Sequence, residues 1–291
     1  MGLQRFLAWA MLAYGVVYAV FLCRDILRHR DRMREERGSF PAVSVSQTVV
    51  YFFTTMGFPD FILNTLLFQK CGWIEDKRLP GTLVASCVLP ATVISFSYLS
   101  GGEALDGATV LLCMLAVATG SFCGARVMAR MDGKTIRLIM GIAMICSMGA
   151  LVVKMIAAAD AVGTATGLSV LRLCIALPIL LFLGFINMFG VPMKAPAVAL
   201  FLLLGMTPMS ALTLMIATGA ISPIAGSVRV LRSGLYQGKI SLAAVSFGTL
   251  GALIGTAFTV TLEANTLSVI LLVIMAVTAV TMLRPPKQGK S

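Results

Sequence analysis

The chain has 291 residues, of which 58% are hydrophobic and 12% charged, with a mean hydropathy of +0.95. Globular chains carry about a quarter charged residues, and here the apolar residues form uncharged blocks of about 20, the length of a membrane span. The net charge of +11 would indicate nucleic acid in a soluble protein, but the basic residues lie between the blocks, where they set membrane orientation. The blocks lack the two-residue alternation of a membrane barrel. We therefore predict an all-α integral membrane protein that binds lipids and no nucleic acid.

The first apolar block, residues 6–23, predicts one extra transmembrane helix ahead of the rest of the fold. An arginine-rich loop, residues 24–37, follows this block rather than preceding it, and no small-residue cleavage site is evident. We therefore interpret the block as a retained helix and not as a signal peptide. Because basic loops stay in the cytoplasm, the N-terminus is expected outside, and residues 1–42 form a first unit.

The next apolar run, residues 43–69, contains Gly57, Pro59 and Asp60 near its middle. If the run crossed the membrane once, the basic loops at 70–78 and 126–137 would both lie outside, against the charge rule. A break at residues 57–60, where glycine and proline interrupt helices, makes the run a hairpin of two half-helices that returns to the cytoplasmic side. The full spans predicted after it are 79–99, 107–128 and 136–156, which complete a first repeat at residues 43–168.

Residues 170–206 are predicted to form a second hairpin, broken over residues 184–192 and opening on the outside. Lys194 is the only charged residue between positions 173 and 228. Because residues 170–187 are nearly long enough to span, a pair of spanning helices with a shared break remains the alternative. The spans predicted after it are 208–230, 240–262 and 264–283, which place the C-terminus in the cytoplasm and make residues 169–291 a second repeat.

The two repeats share short motifs at corresponding places in the sequence. The matching pairs are Gly57-Phe58 with Gly184-Phe185, Asp60 with Asn187, Pro90 with Pro223, Ser100-Gly101 with Ser233-Gly234, and Gly120 and Gly124 with Gly251 and Gly255. Because the first repeat starts inside and the second outside, the sequence predicts an inverted-topology two-fold repeat, each half a broken-helix hairpin plus three spans. Such repeats are typical of secondary transporters, which hold their substrate near the midplane where broken helices meet.

Lys194 is the leading candidate for a substrate-binding residue. An ionisable side chain inside an apolar stretch indicates a functional site, although a lysine that snorkels to the interface is the alternative. Gly190 and Pro192 precede it, so Lys194 should lie in the first turn of a half-helix, whose free N–H groups attract anions. Asn187 would add a neutral donor, and the sequence therefore predicts an anion site in the second hairpin.

The first hairpin offers Asp60 and Asn64, which lie on one helical face. Three roles are open for Asp60: pairing with Lys194, capping its half-helix, or accepting a coupling H⁺ or Na⁺. Hydroxyl groups on the helices after each hairpin are expected to support the site. The complete predicted substrate site consists of Gly57, Asp60, Asn64, Thr82, Asn187, Gly190, Pro192, Lys194, Thr213 and Ser222.

Motifs of enzymes and metal proteins are missing from the sequence. It contains no GxxxxGK[ST], HExxH or GxSxG, one histidine, and seven cysteines without CxxC spacing. We therefore expect a protein that is not an enzyme and that needs no cofactor and no metal.

The stretch from Leu183 to Thr256 resembles the repeat unit of the 4-toluene sulfonate uptake permease (TSUP) family, also called the TauE/SafE sulfite exporter type. The positions that carry the resemblance are Gly184, Gly190, Pro192, Leu204-Gly205, Ala211, Gly226, Gly234, Gly251 and Gly255. It covers roughly residues 43–283 as a two-fold repeat, more clearly in the second half. The family's glycine cluster is reduced here to Gly-Val-Pro, and the first half has Gly-Phe-Pro-Asp instead. The resemblance implies transport of sulfur-containing or related small anions across a bacterial inner membrane.

Together these features predict a secondary transporter of small anions such as sulfite, sulfonates or sulfoacetate-like compounds, working by alternating access. An anion channel, a transporter of small carboxylates and a non-transporting membrane scaffold are the alternatives. The candidate coupling ions are H⁺ and Na⁺, and the sequence leaves the substrate, the direction of transport and the oligomeric state open.

Overall fold

The computed structural model describes residues 2–56, 58–101, 103–136, 138–142, 145, 149 and 163–258. The regular secondary structure among these residues consists of helices, joined by loops and turns, and a single β-bridge connects Ala165 and Met206. The predicted all-α class is therefore confirmed for this part of the chain. Gly57, the predicted span 264–283 and most of the predicted span 136–156 lie outside the described residues.

Ten helices can be given bounds. They are α1 (Gly2–Arg28), α2 (Arg30–Glu35), α3 (Phe40–Thr55), α4 (Asp60–Lys70), α5 (Leu79–Gly101), α6 (Gly107–Met128), α7 (Val170–Asn187), α8 (Lys194–Leu203), α9 (Pro208–Ser233) and α10 (Gly238–Ala257), the last with a π-helical turn at Ala244–Gly248. Residues 133–136 and 138–142, between α6 and α7, are also helical.

Six of the described helices, α1, α5, α6, α7, α9 and α10, are long and apolar enough to cross a membrane. Large apolar side chains on their outer faces are exposed, among them Phe6, Phe122 and Leu253. A soluble protein rarely exposes so much apolar surface. The chain is therefore a multi-pass membrane protein.

One end of the helix bundle is closed around the Glu36 carboxylate. We call it the Glu36 end, and it comprises residues 36–38, 73–78 and 234–239. Glu36 accepts hydrogen bonds from the backbone N–H groups of Gly238 and Lys239, at 2.8 and 2.7 Å. These groups belong to the start of α10, where a helix N-terminus favours a negative charge.

The other end is closed around a second carboxylate, that of Glu103. We call it the Glu103 end, and it comprises residues 103–107, 163–169 and 205–210. Glu103 accepts hydrogen bonds from the hydroxyls of Thr207 and Ser210, at 3.0 and 2.7 Å, where α9 begins. Helix α1 links the two ends, because Gln4 bonds to the Glu103 carbonyl and Asp25 accepts from Tyr236.

Helices α3 and α4 form a hairpin that opens at the Glu36 end. The ring of Trp73, which follows α4, lies against Gly38, which precedes α3. Between the two arms, Gln47 donates to Asn64 at 2.9 Å. The predicted break in residues 43–69 is thus present, and the chain returns to the end from which it came.

Helices α7 and α8 form a second hairpin, which opens at the opposite, Glu103 end. The Ala165 N–H donates to the Gly205 carbonyl at 3.2 Å, and the Thr207 N–H donates to the Ala165 carbonyl at 2.9 Å. These bonds join the segment before α7 to the segment after α8. The two hairpins therefore enter the bundle from opposite ends.

The arms of each hairpin differ in length, which corrects the prediction of paired half-helices. The first arms, α3 and α7, have 16 and 18 residues, whereas the second arms, α4 and α8, have 11 and 10. The first arms cross most of the bundle: the Thr55 carbonyl, at the end of α3, accepts a bond from Tyr98 near the Glu103 end. Only the second arms are half-helices.

Gly184 is not a helix breaker, because it lies inside α7. A Cβ added at Gly184 would overlap the Val117 carbonyl of α6, so the glycine allows the two backbones to approach closely. The break comes later, between Asn187 and Lys194, where Gly190 has φ +87° and Pro192 cannot continue a helix.

Each first arm packs on a glycine-bearing helix from the other half of the chain. Gly120 and Gly124 of α6 lie against the α7 backbone at Leu181 and Phe185. In the same way, Gly251 and Gly255 of α10 lie against the α3 backbone around Thr48 and Phe52. The two halves are therefore interlocked through their hairpins.

Candidate functional site

The short arms of the two hairpins meet in an ion pair. The Lys194 ammonium donates to the Asp60 carboxylate at 2.6 Å, and their side chains are only 18% and 5% exposed. Asp60 is the first residue of α4, and Lys194 is the first residue of α8. Of the three roles open for Asp60, the structure shows pairing with Lys194.

The sequence comparison paired Asp60 with Asn187, but the two residues occupy different positions in their hairpins, so this pairing is wrong. Asn187 ends the first arm of its hairpin, whereas Asp60 begins the second arm of the other. Lys194 holds the place that corresponds to Asp60. The indels near each break hid this correspondence, because the two connections between the arms differ in length.

The ion pair lies midway between the two ends of the bundle. Cys87 and Ala91, from the middle of α5, line the cavity around it, and so does Gly219, from the middle of α9. The stem of Lys194 packs over Gly219, where a Cβ would meet Cε of the lysine at 3.4 Å. The cavity has room for about one water molecule, so a larger ligand needs a rearrangement of the helices.

Two interior prolines shape this region. Pro223 lies inside α9 and has no N–H to donate to the Gly219 carbonyl, and Pro90 stands in the same relation to Ser86 of α5. Each proline therefore interrupts the hydrogen-bond ladder of a long helix next to the cavity. Such interruptions are tolerated in a membrane mainly where protein or a polar cavity surrounds them.

The two charges of the pair interact differently with the dipoles of the helices that carry them. Asp60, in the first turn of α4, is stabilised by the positive end of that helix dipole. Lys194, in the first turn of α8, adds its charge to a helix end that is already positive. The start of α8 is therefore the most anion-attracting point of the site, and Asp60 is the group that neutralises it.

Asn187 is held in place by a chain of hydrogen bonds. Its amide donates to Ser222 of α9 at 2.7 Å, Ser222 shares a hydrogen bond with Ser121 of α6 at 2.7 Å, and Ser121 donates to the Gly184 carbonyl at 3.1 Å. Asn187 also lines the cavity beside Lys194. The hydrogen bonds bring together Asn187 and Ser222, both in the predicted site, and they add Ser121, which the sequence reasoning missed.

On the other side of Asp60 lies a buried polar cluster of α3 and α4, formed by Gln47, Tyr51, Asn64 and Thr65. All four residues are fully buried. Gln47 Oε1, the Tyr51 hydroxyl, Asn64 Nδ2 and the Thr65 hydroxyl lack hydrogen-bond partners within the described part of the chain. The Tyr51 hydroxyl lies close to Asn64 and Ser86. Buried polar groups of this kind usually bind ordered water or an ion.

Three further residues of the predicted site are not among those that line the cavity around the ion pair. Thr82 accepts a hydrogen bond from the Gln237 N–H at 3.0 Å, at the Glu36 end and away from the ion pair. Thr213 is buried on α9, nearer the Glu103 end than Gly219, and its hydroxyl lacks a partner among the described residues. Gly190 lies at the tip of the second hairpin against Leu83. Pro192 lines the cavity, and Gly57 lies outside the described residues.

The two ends carry further titratable groups. At the Glu36 end, burial and the hydrogen bond to Asp25 raise the pKa of the Tyr236 phenol, and Arg32, Arg37 and Arg78 line a polar pocket. At the Glu103 end, Asp106 caps α6, and hydrogen bonds from Thr109 lower the pKa of its carboxyl.

Comparison with known proteins gave no match among family models, curated proteins or solved structures. Within the described residues there is also no group of three or more metal-binding side chains. The chemistry of the site is therefore interpreted from its own geometry.

Proposed function

We propose that the protein is a secondary transporter of small anions, with sulfite and sulfonates as the leading substrate class. The observation that carries this proposal is the Asp60–Lys194 pair, which joins the tips of two hairpins that open at opposite ends of the bundle. The resemblance of residues 43–283 to the TSUP family supports the choice of sulfur-containing anions. In this proposal the protein moves its substrate without changing it chemically and without a cofactor.

The substrate anion binds at the start of α8, where the Lys194 ammonium and the helix N-terminus both favour negative charge. It replaces the Asp60 carboxylate as the partner of Lys194, and the amide of Asn187 adds a neutral donor. Because the cavity is about the size of a water molecule, the anion enters only when one end of the bundle opens.

Alternating access is supported by the arrangement of the two hairpins and of the end closures. We propose that residues 43–168 and 169–291 are inverted repeats, and the exchanged packing of α6 on α7 and of α10 on α3 supports this symmetry. The closures of the two ends also correspond. The Thr82 hydroxyl, near the start of α5, accepts a hydrogen bond from the loop after α9, and the Ser210 hydroxyl, near the start of α9, donates one to the loop after α5. Breaking one closure at a time would expose the pair to one side.

We propose that the protein lies in a bacterial inner membrane with the Glu36 end in the cytoplasm. The arginines at that end support this orientation by the charge rule. It places the N-terminus outside, because Gln4 of α1 lies at the Glu103 end. The predicted span 264–283, which would return the C-terminus to the cytoplasm, lies outside the described residues.

A flux assay in proteoliposomes tests the proposal. Uptake of labelled sulfite, taurine, sulfoacetate, methanesulfonate and acetate is compared for the parent protein and Lys194→Met, with the exposed Lys134→Met as the matched control. We expect saturable flux of at least one sulfur-containing anion, abolished in Lys194→Met and unchanged in Lys134→Met. Conductance without saturation would replace the proposal with a channel, preference for acetate would favour the carboxylate alternative, and no flux of any anion would overturn it.

A further inference from the structure

The cavity around the ion pair contains an unusually simple set of charges. Among the described residues that line it, Asp60 and Lys194 are the charged ones, and their charges cancel. The groups that face Asp60 from other helices are Cys87 of α5 and Tyr51 of α3, both buried and neutral, and Lys194 of α8. A transported anion therefore enters a site whose only cation already has a partner.

From this arrangement we infer that Asp60 takes up one proton for each singly charged anion that binds Lys194, so that anion and proton are transported together. The inference rests on the proposed transport function and names its coupling ion. Before binding, the site holds an ammonium and a carboxylate. After binding, the ammonium pairs with the anion, and Asp60 is a neutral carboxylic acid that has accepted one proton from the acid form of the buffer in the surrounding solution. The net charge of these groups is zero in both states.

The electrostatics of a buried site give the physical reason. If Asp60 stayed ionised after losing Lys194, two anions would share one cation in a low-dielectric cavity, where like charges raise the cost of ionisation. A buried carboxylate without a partner is strongly unfavourable. The N-termini of α4 and α8 reduce this cost, because each carries about half a positive charge, but they are present in both states and supply no new partner for Asp60.

The polar cluster of α3 and α4 provides a route for the proton. Asn64 lies one helical turn from Asp60 towards the Glu36 end, and it bonds to Gln47 at 2.9 Å. The Tyr51 hydroxyl lies beside Asn64 and has no partner of its own within the described residues. Water bound at these unpartnered polar atoms would connect Asp60 with the Glu36 end, while the anion is held on the α8 side.

Proton uptake on binding is measured by titration calorimetry of the detergent-solubilised protein with sodium methanesulfonate. This anion stays singly charged over the working pH range, so it carries no proton itself. The same titration in buffers of different ionisation enthalpy gives the number of protons bound. We expect about one proton for the parent protein and an affinity that falls up to about tenfold per pH unit as the pH rises. Asp60→Asn should bind without proton uptake and without pH dependence, and Asp132→Asn, at an exposed carboxyl, should behave like the parent.

A flux experiment separates this inference from the proposed function. Proteoliposomes loaded with a pH-sensitive dye are exposed to methanesulfonate in sodium or choline buffer. Internal acidification that accompanies uptake in both buffers supports proton coupling. Saturable methanesulfonate uptake without acidification, or uptake that requires sodium, overturns the inference and leaves the transporter in place. The absence of flux for every anion tested overturns the proposed function itself.

Discussion

The two hairpins share one architecture but differ in what their short arms carry. Each has a long first arm and a short second arm that begins with a charged residue at the middle of the bundle. The buried side chains of α4 include Asp60, Asn64 and Thr65, whereas those of α8 are Ala195, Ala197, Ala199 and Phe201. Helix α4 carries three polar side chains among its six buried ones, and α8 is apolar after its first residue. The difference fits the proposed division of roles, in which α4 handles the proton and α8 binds the anion.

Removing either charge of the pair tests this division with the largest expected effect. Lys194→Met leaves the buried Asp60 carboxylate without a partner, which should lower the free energy of unfolding by about 3–5 kcal/mol. It should also weaken anion binding by about 30-fold or more, since truncating one member of a buried charged contact costs about 2–5 kcal/mol. Thermal unfolding in detergent and calorimetry measure the two effects.

The double variant Asp60→Leu/Lys194→Met is the control for this prediction. It removes both charges, so stability should recover while binding stays lost, because a buried ion pair replaced by apolar residues is often neutral for stability. If the double variant were as unstable as the single one, the pair would not be the source of the effect.

Glycine packing tests whether the two hairpins are held in the same way. Gly124→Val and Gly255→Val each place a side chain against the backbone of a first arm, at α7 and α3. We expect both to lower stability by similar amounts, about 1–3 kcal/mol, whereas Gly101→Ala, which meets nothing within 4 Å, should have little effect. A large loss at one site only, measured by thermal unfolding, would mean that the hairpins are anchored differently.

The polar face of α4 can be tested apart from the ion pair. Asn64→Leu should slow proton-driven methanesulfonate uptake, because it interrupts the cluster behind Asp60, and should leave methanesulfonate binding nearly unchanged. Dye-loaded proteoliposomes and calorimetry measure the two quantities. Ala197→Ser, which adds a hydroxyl to the apolar arm, is the matched change in the other hairpin and should not alter coupling. Equal slowing in both variants would contradict the division of roles.

The smallest effect is expected for Asp106, which lies outside both hairpins. The hydrogen bonds from Thr109 lower the pKa of Asp106, so its ionised form stabilises the fold above the ordinary carboxyl range, and this contribution is lost as the pH falls through the lowered pKa. Asp106→Asn keeps a capping side chain and loses only the charge, which should cost about 0.5 kcal/mol. The difference from the parent should shrink as the pH falls below the ordinary carboxyl range and through the lowered pKa, as thermal unfolding would show. A larger loss that persists at low pH would mean that the carboxylate has another role.

The apolar spans that the structure describes and the two breaks could be predicted from the sequence, because apolar length, proline and the placement of basic residues act locally. The length of each hairpin arm could not be predicted in this way. Gly184 signals both a break and a close helix contact, and only the neighbouring backbone of Val117 distinguishes the two. The same limit applies to Thr82, since a buried hydroxyl in an apolar helix does not reveal which end of the bundle it faces.

The ion pair was foreseen as one of three roles for Asp60, because a lone lysine in an apolar run requires a partner. Its surroundings were not foreseen. Gln47, Tyr51 and Ser121 are single polar residues in apolar helices, and such residues usually bond within their own helix. Their functional neighbours come from other segments of the chain, so the three-dimensional packing alone identifies them.

The most direct test of the account is a structure with 2-bromoethanesulfonate, whose bromine can be located by anomalous scattering. We expect the sulfonate beside the Lys194 ammonium, with the Asp60 carboxyl moved away from its 2.6 Å contact towards Asn64. A sulfonate bound only among the arginines of the Glu36 end, with the Asp60–Lys194 pair intact, would contradict it.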